Sequence, residues 1–116
     1  MPRPIDHIKR HFNSQGIKSI TVPEWLTEDE KPLVIYYEPL TVKGKDALAR
    51  LNKQYGDTLE WLVMVLIKHA KDNQGQPLFT LEDKKDFMHH ADVRVIERVT
   101  SAILLDGGSY ESEKKN

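Results

Sequence analysis

The sequence predicts a mainly helical α+β domain: about four or five helices with a small two-stranded antiparallel element near the N-terminus. Two observations carry that expectation. Beyond Pro39 the apolar residues recur at spacings of three and four, the period of helices with one buried face. Before it, two short runs rich in β-branched and aromatic residues lie close together, around Ile20 and around Ile35. The chain has 116 residues, the size of one domain. It divides into a short helix and turn (1–16), a single domain (17–106) and a polar tail (107–116) that has too little apolar content to fold.

In residues 4–13, Ile5, Ile8 and Phe12 form one stripe of a short amphipathic helix surrounded by His7, Lys9, Arg10 and His11. At about ten residues such a helix is marginal alone and is expected to lean on the body of the protein. Asn13-Ser14-Gln15-Gly16 then reads as a stop and a turn. The first strand spans 17–22, with Ile20 and Val22 on one face, and Pro23 ends it because proline lacks a ladder donor. The second strand is Leu33-Val34-Ile35-Tyr36-Tyr37, joined to the first by a loop of about ten residues, which is long for a hairpin. Two strands are unstable alone in water, so this pair must pack on helices or be extended by another chain.

Thr41 is placed to cap the next helix, in which Ala47, Leu48, Leu51 and Tyr55 share a stripe, and Gly56 ends it. Asp57 then caps residues 58–71, which are apolar around most of the circumference. A helix of that kind is either the centre of the domain or partly covered by another molecule. Asp72-Asn73-Gln74-Gly75-Gln76-Pro77 is a polar turn. Thr80 with Asp83 resembles a capping box, and Phe79 is placed to staple onto the first turn of the helix that runs to His90. Asp92 caps the last helix, whose buried side falls to Val95 or Ile96, Val99, Ile103 and Leu104, and Gly107-Gly108 stops it.

Composition narrows the function classes. Lys and Arg total 17 against 18 Asp and Glu, a net charge of −1, which lacks the basic excess of a dedicated nucleic-acid binder. The absence of cysteine removes disulfides, thiolate metal sites and cysteine nucleophiles. No apolar run reaches the roughly 18 residues of a membrane span, and none stands at the N-terminus as a signal peptide.

No motif assembles a reaction centre. His89 and His90 are adjacent on a helix and point about 100° apart, so they do not share a metal as residues at i and i+4 can. Asp72 opens no calcium loop, since Gly75 comes two places early and the twelfth residue is Asp83 instead of Glu. The glycines Gly44, Gly56, Gly75 and Gly107 form no phosphate cradle, and no serine occupies a nucleophile elbow. Lys43, Lys45, Arg50 and Lys53 on one helix, with Arg94 and Arg98 on the last, keep a small DNA-binding regulator or an adaptor as the alternative to the reading below. The expectation is therefore a non-enzymatic protein with no catalytic residue, cofactor, metal or small-molecule substrate.

One ordered set of features resembles the tail assembly chaperones of long-tailed bacteriophages and prophages, over residues 19–105. It begins with Val22-Pro23-Glu24-Trp25 after a β-run and continues with Tyr36-Tyr37-Glu38-Pro39-Leu40-Thr41, a strand stepping into a helix. A long apolar helix then leads through residues 71–83 into a new helix, followed by a last amphipathic helix and a polar tail. The resemblance implies a protein that acts in the bacterial host cytoplasm, is absent from the finished virion, and binds the tape measure and tail tube proteins during assembly. It also implies a longer product made by ribosomal frameshifting, for which Lys114-Lys115 is a candidate slip site.

That role needs apolar surface at the rim of the domain. The candidate contact residues are Trp25 and Leu26 in the acidic loop, Tyr36 and Tyr37 on the strand, and Trp61 or Val65 on the apolar helix. Burial in the domain's own core is the competing fate of each. Trp25 leads because it sits among charges outside any periodic pattern. The strand edge at 33–37 offers pairing with a partner strand or with a second copy in a homo-oligomer.

Overall fold

The computed structural model describes residues 3–105. The expected polar tail, the Gly107-Gly108 stop and the Lys114-Lys115 pair lie outside the described residues. The chain runs α1 (Pro4–Ser14), β1 (Lys18–Leu26), β2 (Pro32–Tyr37), α2 (Val42–Tyr55), α3 (Leu59–His69), a 3-10 turn (Leu81–Asp83), α4 (Lys84–His90) and α5 (Val93–Leu105). This is the expected α+β architecture, with one antiparallel hairpin preceding the helices.

Helix α3 is the centre of the domain. Its residues Val63, Met64, Val65, Leu66 and Ile67 are all buried, because α2, α4 and α5 surround it. The apolar pattern of residues 63–67 is therefore absorbed within the chain itself, while Leu59 stays exposed and Trp61 half-buried. Helix α5 closes the core with Val95, Ile96, Val99, Thr100 and Ile103. The buried hydroxyl of Thr100 donates to the Ile96 carbonyl at 2.7 Å and so leaves no unpaired donor.

The hairpin lays Val22, Ile35 and Tyr37 into the same core, with Ser19 and Thr21 exposed between the inward-facing residues of β1. Its register pairs Ile20 with Ile35 and Val22 with Leu33, then jumps to Leu26 opposite Pro32. Pro23 thus does not end the strand. Pro23, Glu24 and Trp25 arch out of the ladder where proline has no N–H to give, and pairing resumes at Leu26. The connection shortens accordingly to 27–31, where the Thr27 N–H donates to the Lys31 carbonyl at 2.8 Å and the Glu30 N–H to the Thr27 carbonyl at 2.9 Å. Glu30 takes a left-handed conformation there, with φ of 59°.

Side-chain caps punctuate the helices. The Thr41 hydroxyl accepts from the Gly44 N–H at 2.9 Å. A Cβ on Gly44 would lie 3.2 Å from that same hydroxyl, so the glycine makes room for the cap. Gly56 ends α2 with φ of 75°. Thr58, not Asp57, caps α3 by accepting from the Trp61 N–H at 3.2 Å, while Asp57 accepts from the Asn52 amide at 2.8 Å. Thr80 and Asp83 form the expected box, the Thr80 N–H donating to Asp83 Oδ2 at 2.9 Å. Asp92 accepts from the Arg94 N–H at 2.8 Å.

Helix α1 departs from expectation. It starts well, with Pro4 in its first turn and the Arg3 N–H donating to Asp6 Oδ2 at 2.8 Å. Yet it buries no residue and makes no extended contact with another element. Phe12 alone of its apolar stripe is half-buried, in a cleft it shares with Pro39, Leu40 and His69.

Candidate interaction surface

The arch in β1 decides where Trp25 goes. Freed from the ladder, its ring meets Phe87 of α4 with centroids 6.1 Å apart, and Phe87 in turn meets Phe79 edge-on at 4.8 Å. Both are attractive aromatic geometries. Phe79 thus packs on Phe87, in the second turn beyond its cap. The three rings, with Ala91, line an open hollow of about 270 Å³ whose polar rim is Asp83, Asp86 and His90. Leu26, at the end of the arch, is 60% exposed.

Glu24 anchors the arch from the other side. Its carboxylate receives Arg98 Nη1 at 3.0 Å and Nη2 at 2.5 Å, a two-pronged pair between β1 and α5. The Arg98 hydrogen bonds hold the Glu24 carboxyl below the usual carboxylate range. A second pair, Lys84 Nζ to Glu60 at 2.6 Å, ties α4 to α3, and the same ammonium sits 4.8 Å above the Tyr55 ring. The bond to Glu60 raises the Lys84 pKa.

The structure separates the remaining candidates. Val65 is fully buried and Tyr37 nearly so, at 0% and 3% exposure, so both are corrected from contact residues to core residues. Each lies where the centre of α3 and the inner face of β2 meet the other helices. Trp61 is half-buried, and its indole N–H donates to the Leu48 carbonyl at 3.3 Å. It borders an open cleft with Ala49, Asn52 and Leu104, well apart in sequence from the Trp25 cluster. Tyr36 is half-buried, and its backbone exchanges hydrogen bonds with Lys71 at 2.9 and 2.8 Å. That bridge occupies part of the outer edge of β2, so the edge is not the free pairing site expected for 33–37.

No family of known proteins, no curated protein and no solved structure matches this chain.

The other candidate groups are engaged locally. The Asp72 carboxylate accepts from the Gln74 and Gln76 N–H groups at 2.8 and 2.9 Å, which makes residues 72–76 a side-chain-braced turn. Arg50 pairs with Asp46 at 3.0 Å along α2. His69 is partly buried in the cleft it shares with Phe12, and burial, aided by Lys68 and Lys71, lowers its pKa against an opposing pull from Glu38. Among the described residues no group of three or more His, Asp or Glu is placed to hold a metal. No described helix is long and apolar enough to cross a membrane.

The aromatic hollow was only partly legible beforehand. Trp25 and Leu26 stand out in the sequence and Phe79 is expected only as a helix staple, but nothing local marks Phe87 as their partner. The usable pattern was Asp83, Asp86, Phe87 and His90, which fall on one helical face at spacings of three and four.

Proposed function

We propose that the chain is a non-enzymatic protein-binding module, and that it serves as a tail assembly chaperone of a long-tailed bacteriophage or prophage. Its clients are the tape measure and tail tube proteins, met in the bacterial cytoplasm before the tube polymerises. The observation that carries protein binding is the open hollow built from Trp25, Phe79 and Phe87, an aromatic recess at the rim of the domain. Aromatic anchors in half-open recesses are where binding energy concentrates at protein interfaces. The choice of client rests on the sequence resemblance. A tape measure protein is a long helix with apolar stripes, and a recess of this kind shields one such stripe without requiring a matching fold.

Co-expression with the tape measure protein of the same genome tests the reading. The expected result is that the tape measure remains in the soluble fraction and co-purifies, and that Trp25→Ala with Phe87→Ala releases it. Unchanged solubility together with no co-purification overturns the reading.

A further inference from the structure

We infer that α1 of one copy docks in the Trp25–Phe79–Phe87 hollow of a second copy, giving a reciprocal dimer. This goes beyond the client-binding reading, since α1 and a client stripe compete for the one hollow, and it stands whether or not that reading holds.

Both halves of the contact are present on one chain and neither is satisfied by it. Helix α1 presents Ile5 and Ile8 at 43% and 62% exposure and buries no residue against its own domain. The hollow is open and apolar at its base. An amphipathic helix laid in an apolar recess, with anchors one turn apart, is a recurrent recognition mode.

Charge complements shape. Helix α1 with its cap carries Arg3, Lys9 and Arg10 against the single carboxylate of Asp6, and Lys9 stands beside the Ile5–Ile8 stripe. The hollow is rimmed by Asp83 and Asp86, with Glu82 next to them and Glu28, Asp29 and Glu30 just beyond Leu26. Two cations near the hollow are already engaged, Lys84 with Glu60 and Arg98 with Glu24, while Lys85 and Arg94 remain exposed. Opposite patches of this kind orient partners and speed their encounter.

Reach makes the contact intermolecular. Phe12 roots α1 in the cleft beside Pro39 and Leu40, at the end of the hairpin where Lys18 pairs with Tyr37. Ile5 lies seven residues back along the helix, about 10 Å at 1.5 Å per residue. Trp25 lies at the opposite end of β1, roughly 20 Å away at about 3.3 Å per residue. A helix held at Phe12 therefore falls short of its own hollow, and only another copy's hollow is available. Exchange of the same element in both directions closes the assembly as a two-fold dimer.

Sedimentation equilibrium on the full chain, in 50 and 500 mM salt, tests this. The expected result is a monomer–dimer equilibrium that weakens at high salt. Ile8→Glu and, separately, Asp86→Lys should each raise the dimer dissociation constant by at least about tenfold with helicity unchanged by circular dichroism. Both side chains are exposed, so neither change threatens folding. Mixing Asp86→Lys chains with a Lys9→Glu variant should restore association through the one intact and one reversed contact. A monomer at every concentration overturns the proposal. So does a dimer indifferent to Ile8→Glu, or one that loses affinity with Ile8→Glu but not with Asp86→Lys.

Discussion

Arg98 of α5 grips Glu24 of β1 with both guanidinium nitrogens, at 3.0 and 2.5 Å, across 74 residues of chain. Glu24 is the middle residue of the arch that leaves the ladder after Val22, and the next residue is Trp25. The ion pair and the aromatic cluster thus hold the arch from two sides, α5 through Glu24 and α4 through Trp25. Breaking the pair should loosen the indole from Phe87 without unfolding the hairpin, whose inner face is pinned by Val22 and Ile35.

The expected outcome for Arg98→Ala in a Trp61→Phe background is a red shift of Trp25 emission and faster quenching by acrylamide. The reversed pair, Glu24→Arg with Arg98→Glu, should recover most of the change. Because Arg98 depresses the Glu24 pKa, the native emission should persist as pH falls through the ordinary carboxylate range and shift only below it. An emission maximum that ignores Arg98→Ala would show that the arch is held by the rings alone.

His69 gives the domain a different pH dependence. Its folded-state pKa lies below the free value of about 6.5. Between the two values the unfolded chain binds more protons, so stability is full above the unfolded value and declines as the pH drops through that window. Urea midpoints should fall between pH 7 and pH 5, and His69→Gln should flatten that decline. An equal decline in the variant would assign the acid sensitivity to other groups.

How far residues announced this structure depended on whether a local or a distant partner decided their role. Helices α2 to α5 follow from apolar spacing and caps, because both operate within one or two turns. The burial of Leu66 and Ile103 follows from the same spacing. At Pro23 a missing donor marks a break in the ladder but says nothing of whether pairing resumes, as it does at Leu26. Val65 and Tyr37 were ambiguous because an apolar side chain reads alike whether its own chain or another covers it. The hollow is illegible in the sequence for a third reason: Trp25 and Phe87 are 62 positions apart, and no local pattern reports a contact at that range. Helix α1 is the converse case. Its stripe is a good amphipathic pattern, and the pattern alone does not name the molecule that covers it.

The cap of α3 offers a direct comparison of neighbours. Thr58 accepts from the Trp61 N–H, whereas Asp57 binds the Asn52 side chain and lies outside the helix. Thr58→Ala should cost about 1 kcal/mol, and Asp57→Ala should cost less. Thermal unfolding of the two variants checks the order. The reverse order would return the cap to Asp57.

The unequal burial of the apolar residues makes the last expectation quantitative. Leu66 is 0% exposed at the centre of α3, and its side chain is enclosed by neighbouring helices. Leu66→Ala should therefore cost about 3 kcal/mol, from lost transfer energy and the cavity left behind. That is a large share of the roughly 5–15 kcal/mol that stabilises a domain. Ile8 belongs to an equally regular stripe but is 62% exposed, so Ile8→Ala should change monomer stability by less than about 0.5 kcal/mol. Urea unfolding at low protein concentration, where self-association is minimal, separates the two. A large loss at Ile8 under those conditions would mean that α1 packs on its own domain. A loss that appears only at high concentration would locate the energy of that helix in contact with another copy, as mass action requires of any group that is stabilised by association.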